Sequence, residues 1–186
     1  KKAKSIVFQA NSINFTKYIF NVDNYYQTLT SDDLKTILSF NKRTSQPNVI
    51  NDIQTFTRNN EVFYNNSSIL IPKNTFNIFS LLYFMSKNKI TNSKTINIER
   101  EGILYYGTII PIEISDNNII TYQLYLEENY TTFNIPVIKN TDIFTWAVFM
   151  DNAHRQIILS KKDNRIQKCI FKKGLIKLTA EYIERK

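Results

Sequence analysis

His154 is the only histidine in the chain, and it lies in Asp151-Asn152-Ala153-His154-Arg155, a polar stretch of the kind that joins strands. Work as a general base would require a nucleophile or carboxylate delivered from another element, so a solvated turn residue is the expectation. Glu113 follows Pro111 on an otherwise apolar segment. Facing inward, its carboxyl would have a raised pKa; alternation instead puts it opposite Ile112 and Ile114, and an outward ion-pairing role is expected. Cys169 is the single cysteine, which excludes an internal disulfide and a cysteine metal cluster. No phosphate-cradling glycine loop, nucleophile elbow or paired-histidine motif occurs. These residues predict a non-enzymatic protein with no catalytic residues, no metal and no cofactor.

Charge is the other chemical signal. The formal net charge is +8. Between His154 and Lys186 ten Lys/Arg stand against three acids, Asp163, Glu181 and Glu184, so most of the excess lies in the last strands. Lys168, Lys172, Lys173 and Lys177 are the candidate basic surface. Lysines there serve solubility and discourage edge pairing, or they meet an anionic membrane surface or an acidic partner. Nucleic acid is the least expected partner, because no RNA-binding aromatic signature, zinc finger or helix-turn-helix accompanies the charge.

The elements that would position these residues are mostly strands. Leu104 to Ile114 alternates with Leu104, Tyr106, Thr108, Ile110 and Ile112 on one face. Asp116-Asn117-Asn118 then supplies a turn, and Ile120, Tyr122, Leu124 and Leu126 complete a hairpin. A second hairpin joins Arg165–Phe171 to Ile176–Tyr182 through Lys173-Gly174. Ile143–Met150 is apolar on both faces and reads as a central strand covered on both sides. Toward the N-terminus, Ile6–Phe8 and Phe15–Val22 read as strands, and Val49–Thr57 with Glu61–Tyr64 as a hairpin around Arg58-Asn59-Asn60. Helices are expected at Asn74–Lys87, after Pro72 and the cap candidates Asn74 and Thr75, and at Ser31–Phe40, where Thr30 or Ser31 caps.

A length of 186 residues, 42% hydrophobic and 13% aromatic, fits a single β-rich domain over residues 1–186 with a sizeable core. The asparagine richness reads as compositional bias. The longest apolar run, Phe76–Met85, is about half of a membrane-spanning helix. The chain opens at Lys1-Lys2 without a methionine, the expected look of a mature form from which a targeting segment was removed.

The order of features resembles a family of exported bacterial proteins known as domain of unknown function 3108. The resemblance rests on Ala10-Asn11-Ser12, on Val22-Asp23-Asn24-Tyr25-Tyr26 leading to Asp32-Asp33-Leu34, and on a hairpin ending at Tyr64. It continues through Asn77-Ile78-Phe79-Ser80-Leu81-Leu82-Tyr83-Phe84, with Asn77 where the family usually has aspartate. Ile112-Glu113-Ile114, Phe144-Thr145-Trp146-Ala147-Val148-Phe149-Met150-Asp151 and Gly174 complete it. Sparse glycines and Gln156-Ile157-Ile158-Leu159, where a proline-containing strand is common, depart from the pattern.

The resemblance implies a periplasmic or lipid-anchored protein of the cell envelope. Its implied architecture is mainly β: a strongly curved antiparallel sheet or half-open barrel packed around an apolar helix, similar to the LolA and LolB lipoprotein carriers. Such an interior suits a lipid or other hydrophobic ligand, since each buried methylene contributes roughly 0.8 kcal/mol; equally, side chains can fill it. Phe76, Phe79, Leu82, Tyr83 and Trp146 are the candidate ligand-lining residues. The alternative is an interaction or scaffold domain of an envelope complex that uses the basic C-terminal strands.

Overall fold

The computed structural model describes residues 2–13, 18, 20–114, 118–130 and 136–183. Among the described residues the fold is mainly β, with two sheets and the two helices α1 and α2 given below. The first sheet is an antiparallel meander in the order β1 (Ala3–Asn11), β2 (Asp23–Ser31), β3 (Ile37–Gln46), β4 (Val49–Arg58), β5 (Glu61–Phe63) and β6 (Ser68–Leu70). The second runs β7 (Thr75–Phe76), β8 (Lys94–Arg100), β9 (Ile103–Ile114), β10 (Ile119–Glu128), β11 (His154–Ser160), β12 (Arg165–Lys173) and β13 (Ile176–Glu181). Only the β7–β8 pairing is parallel among those described. Among the described residues no helix is long and apolar enough to cross a membrane.

Helix α1 (Ile78–Lys87) touches β1 and β2 of the first sheet and β7, β8 and β12 of the second, so it lies between them. Its apolar surface all round is thereby explained: both sides are covered. A ladder of rings crosses the core. Tyr26 stacks on Phe79 at 4.1 Å, Phe79 meets Phe144 at 5.8 Å, and Phe144 meets Phe171 edge-on at 5.7 Å. Rings from β2, α1, α2 (Ile143–Phe149) and β12 are thus joined in one cluster. Offset and tilted rings at these separations add to the gain from burial alone.

Several expectations change. The helix expected at Asn74–Lys87 begins at Ile78, because Asn77 forms a capping box: its Oδ1 accepts from Ser80 N at 2.8 Å, and Ser80 Oγ accepts from Asn77 N at 3.0 Å. Phe76 falls in β7 instead. No helix forms over Ser31–Phe40. There the Ser31 hydroxyl meets Asp33 Oδ1 at 2.5 Å and accepts from Thr36 N, Leu34 has a φ of 63°, and the chain turns into β3. Ser and Asp side chains offered the backbone a turn instead of a helical cap.

The strand expected at Ile143–Met150 is instead a helix over Ile143–Phe149, with Met150 as its extended C-cap. Asp142 Oδ1 accepts from Phe144 N and Thr145 N, both at 3.0 Å, and so caps its start. The buried Arg155 guanidinium closes the other end, donating to Val148 O, to Ala153 O at 2.9 Å and to Met150 O at 2.6 Å. Part of the expected strand Phe15–Val22 lies outside the described residues, and residues 20–22 are not in a strand. In β9 the more deeply buried row is Tyr105, Gly107 and Ile109, not the row containing Tyr106 and Ile112. The β9–β10 and β12–β13 hairpins and the β4–β5 hairpin pair as expected. Residues 115–117 of the first turn lie outside the described residues.

Asparagine does more here than reflect composition. With three glycines in the chain, seven of the nine described non-glycine residues with positive φ are asparagines: 48, 59, 60, 74, 118, 152 and 164. Its short polar side chain tolerates the left-handed region better than most. The turns between strands therefore run on asparagine.

Candidate functional site: a buried ionic clasp and a basic sheet edge

The inward rows of β2 and β3 are polar. Asn24, Thr28, Thr30, Lys42, Thr44 and Gln46 are all buried, and Tyr26 sits directly opposite Lys42 in the register. Lys42, 1% exposed, forms ion pairs with Glu101 and with Asp142, the latter at 2.6 Å. Its ammonium also donates to Thr141 Oγ1 at 2.9 Å, and that hydroxyl donates to Glu101 Oε1 at 2.8 Å. Tyr26 donates to Asp142 Oδ1 at 2.6 Å. The first sheet, the β8–β9 turn and the start of α2 therefore meet at one ammonium.

The electrostatics follow from burial and pairing. Burial works against the charge on Asp142, but the Lys42 ammonium, the Thr145 amide and the Tyr26 hydroxyl together hold its carboxyl below the usual range. Burial first, then the neighbouring Asp142 charge, pushes the Tyr26 phenol far up. Beside this clasp, Glu99 accepts from Tyr64 OH and, at 2.8 Å, from Gly102 N. Burial raises its carboxyl to about 7, with Glu101 adding to the effect and Tyr64, Gly102 and Arg100 opposing it.

Lys42, Glu99, Glu101 and Asn77 border a cavity of about 20 Å³, together with Ile78, Phe79 and Phe149. That is the space of one water molecule. The arrangement is an inter-sheet clasp. No cluster of three or more His, Cys, Asp or Glu among the described residues could hold a metal ion.

Lys42, Glu101 and Asp142 escaped the sequence reading because they stand far apart in the chain and none belongs to a motif. Asp142 was the one legible signal, as a cap residue immediately before the apolar run Ile143–Phe149. Tyr64, Glu99 and Arg155 had no comparable signal.

The candidate residues separate into two groups. Phe76, Phe79 and Leu82 are in the core, Tyr83 is half-buried against it, and Trp146 on α2 is 43% exposed. Of the five, Phe79 borders the cavity of about 20 Å³. Glu113 is exposed on β9, His154 is exposed at the start of β11, and Cys169 is buried with its thiol pushed up to about 12. Among the basic residues, Lys168 pairs with Glu181 at 2.5 Å. Lys172 stands directly opposite His154 on one side and Lys177 on the other. Lys173 is exposed at the hairpin, where Gly174 takes a φ of 56°. The described residues give Lys172, Lys173 and Lys177 no ion pair, and β13 is the outer strand of its sheet.

No family model, curated protein or solved structure matches this chain.

Proposed function

We propose that this is a non-enzymatic binding domain that takes an acidic, extended segment of a partner protein onto the outer edge of β13. The supporting observation is the row His154–Lys172–Lys177, which crosses three adjacent strands on one face and ends at an unpaired edge. Direct cross-strand lysines repel one another. Acidic side chains on an added strand would relieve that repulsion, while the edge supplies backbone donors and acceptors for strand addition. Leu175 is fully exposed, and Ile176 and Tyr182 are about half exposed, so apolar contact is available along the same hairpin.

The hydrophobic-carrier reading has less support. Phe76, Phe79 and Leu82 already spend their surface on core contacts, and the cavity touching Phe79 holds about one water rather than an acyl chain.

The test is titration with a capped peptide of alternating Glu and Val, read by amide exchange in β13. Protection of β13, lost in Lys172→Glu/Lys177→Glu and in an N-methylated peptide, supports strand addition. No binding at low salt, or equal binding of the N-methylated peptide, rejects it. Preferential binding to phosphatidylserine vesicles over the peptide would assign the row to a membrane surface instead.

A further inference from the structure

Where the chain leaves the first sheet to begin the second, it encloses a cleft of about 260 Å³. Its walls come from Lys35 to Ile37 before and at the start of β3, Thr57 at the end of β4, Asn60 in the next turn, and the crossing segment 71–75. We infer that this cleft binds a small organic anion, a phosphomonoester or a compact polycarboxylate.

Charge, shape and polar lining all support this ligand class. Two exposed ammonium groups, Lys35 and Lys73, stand at the cleft, and no carboxylate lines it. Neither lysine has an ion pair among the described residues. The two carboxylates nearest in sequence to the lining are already engaged. Asp33 Oδ1 is held by Ser31 Oγ at 2.5 Å and accepts from Lys35 N at 3.1 Å, and Glu61 Oε1 accepts from Ser68 Oγ at 2.6 Å. Asp33 also attracts Lys35 through its charge, but neither carboxylate lines the cleft or forms an ion pair with Lys35 or Lys73 among the described residues.

Ile37 and Ile71 are buried beneath. Apolar walls of this kind lower the local dielectric and strengthen charge attraction relative to open water. Thr57, in the same wall, has a buried Oγ1 with no hydrogen-bond partner among the described residues. Asn60 and Asn74, both exposed and both lining the cleft, adopt left-handed φ, 61° and 60°. Amide and hydroxyl donors among a few lysines are the groups that read clustered anionic oxygens. The volume suits a metabolite rather than a polymer.

This site is far in sequence from the β13 edge and meets the second sheet only at β7, the opposite outer strand, and the experiment keeps the two apart. Inorganic phosphate, citrate and neutral glucose are titrated at matched ionic strength while backbone amide shifts are followed in wild type, Lys35→Gln/Lys73→Gln and Lys172→Gln/Lys177→Gln. Expected are saturable shifts at residues 35–37, 57–60 and 71–75 with phosphate or citrate and none with glucose. Affinity should drop about tenfold or more in Lys35→Gln/Lys73→Gln and stay unchanged in Lys172→Gln/Lys177→Gln. Both variants alter exposed side chains, so unchanged melting temperature confirms their fold. Shifts that never saturate, that move instead to β12–β13, or that persist in Lys35→Gln/Lys73→Gln overturn the inference. Whether phosphate or citrate saturates first separates the two ligand chemistries.

Discussion

Lys42 Nζ lies 2.6 Å from Asp142 Oδ2, and the two side chains are 1% and 0% exposed. Each is the other's escape from a large desolvation cost: alone in the interior, either charge would be strongly unfavourable. Because Lys42 belongs to β3 and Asp142 caps α2, the pair couples the register of the first sheet to the existence of a helix that lies beyond β10 in the chain.

Lys42→Met should therefore destabilise the protein by about 3–5 kcal/mol, since it strands Asp142 without a buried counter-charge and leaves Glu101 with Arg100 alone. Adding Glu101→Gln and Asp142→Asn to Lys42→Met should recover much of the loss, because Asn still caps α2. Urea unfolding of the three-residue variant checks this. Recovery absent in the triple variant would mean that packing around the Lys42 stem, not charge, sets the cost.

Glu99 gives the fold a pH dependence of definite sign. Its folded pKa of about 7 lies above the ordinary 4.5, so the folded protein binds this proton more tightly than the unfolded chain. Stability must then fall as pH rises from about 4.5 to about 7, by up to about 3 kcal/mol. Glu99→Gln keeps an acceptor for Tyr64 OH and Gly102 N and should lack this component. Unfolding free energies of both proteins between pH 4.5 and 7 should diverge, with the variant gaining relative to wild type as pH rises.

Asp142 acts in the opposite direction. Its folded pKa is depressed below 3.8, so its contribution is present above about pH 4 and is lost as pH falls through the folded value. An acid titration of Asp142→Asn followed by circular dichroism should show a shallower loss of stability below pH 4 than wild type.

Arg155→Met should loosen α2 by about 3 kcal/mol, because three carbonyls at and beyond the helix end lose their donor. Hydrogen exchange at residues 143–150 should rise before exchange elsewhere. Arg155→Lys should not restore protection, since one ammonium cannot replace a planar guanidinium fork.

Gly107→Ala should cost about 1–3 kcal/mol through overpacking. A Cβ there would stand 2.9 Å from Ile98 Cδ1 and 3.0 Å from Ile96 Cγ1. Ile98→Val removes the first obstacle, and the double variant should melt higher than Gly107→Ala alone.

Much of the second sheet was legible in the sequence because its inward rows are apolar. Ile120, Tyr122 and Leu124 announce β10 by alternation, and Gly174 announces the β12–β13 turn. The first sheet was harder to read because, beside Tyr26 and Ile37, its inward rows in β2 and β3 carry Asn24, Thr28, Thr30, Lys42, Thr44 and Gln46. A hydrophobic period of two cannot appear where the buried residues are themselves polar. Phe144, Ala147 and Val148 face the core in α2, but a seven-residue run with six apolar residues satisfies a strand pattern as well as a helical one, and the cap residue Asp142 was the only local discriminator.

The sequence by itself determined the β-rich class, the hairpins that turn on asparagine and glycine, the apolar helix α1 and the basic excess near the C-terminus, because each is written in neighbouring residues. Tertiary structure decided which lysines are paired and which stand at an edge, that α2 is a helix, and that Lys42, Glu101 and Asp142 share one buried point. Those outcomes depend on charges and hydrogen-bond donors brought together across sheets, and their free energy arises from desolvation and geometry that no local stretch of sequence contains.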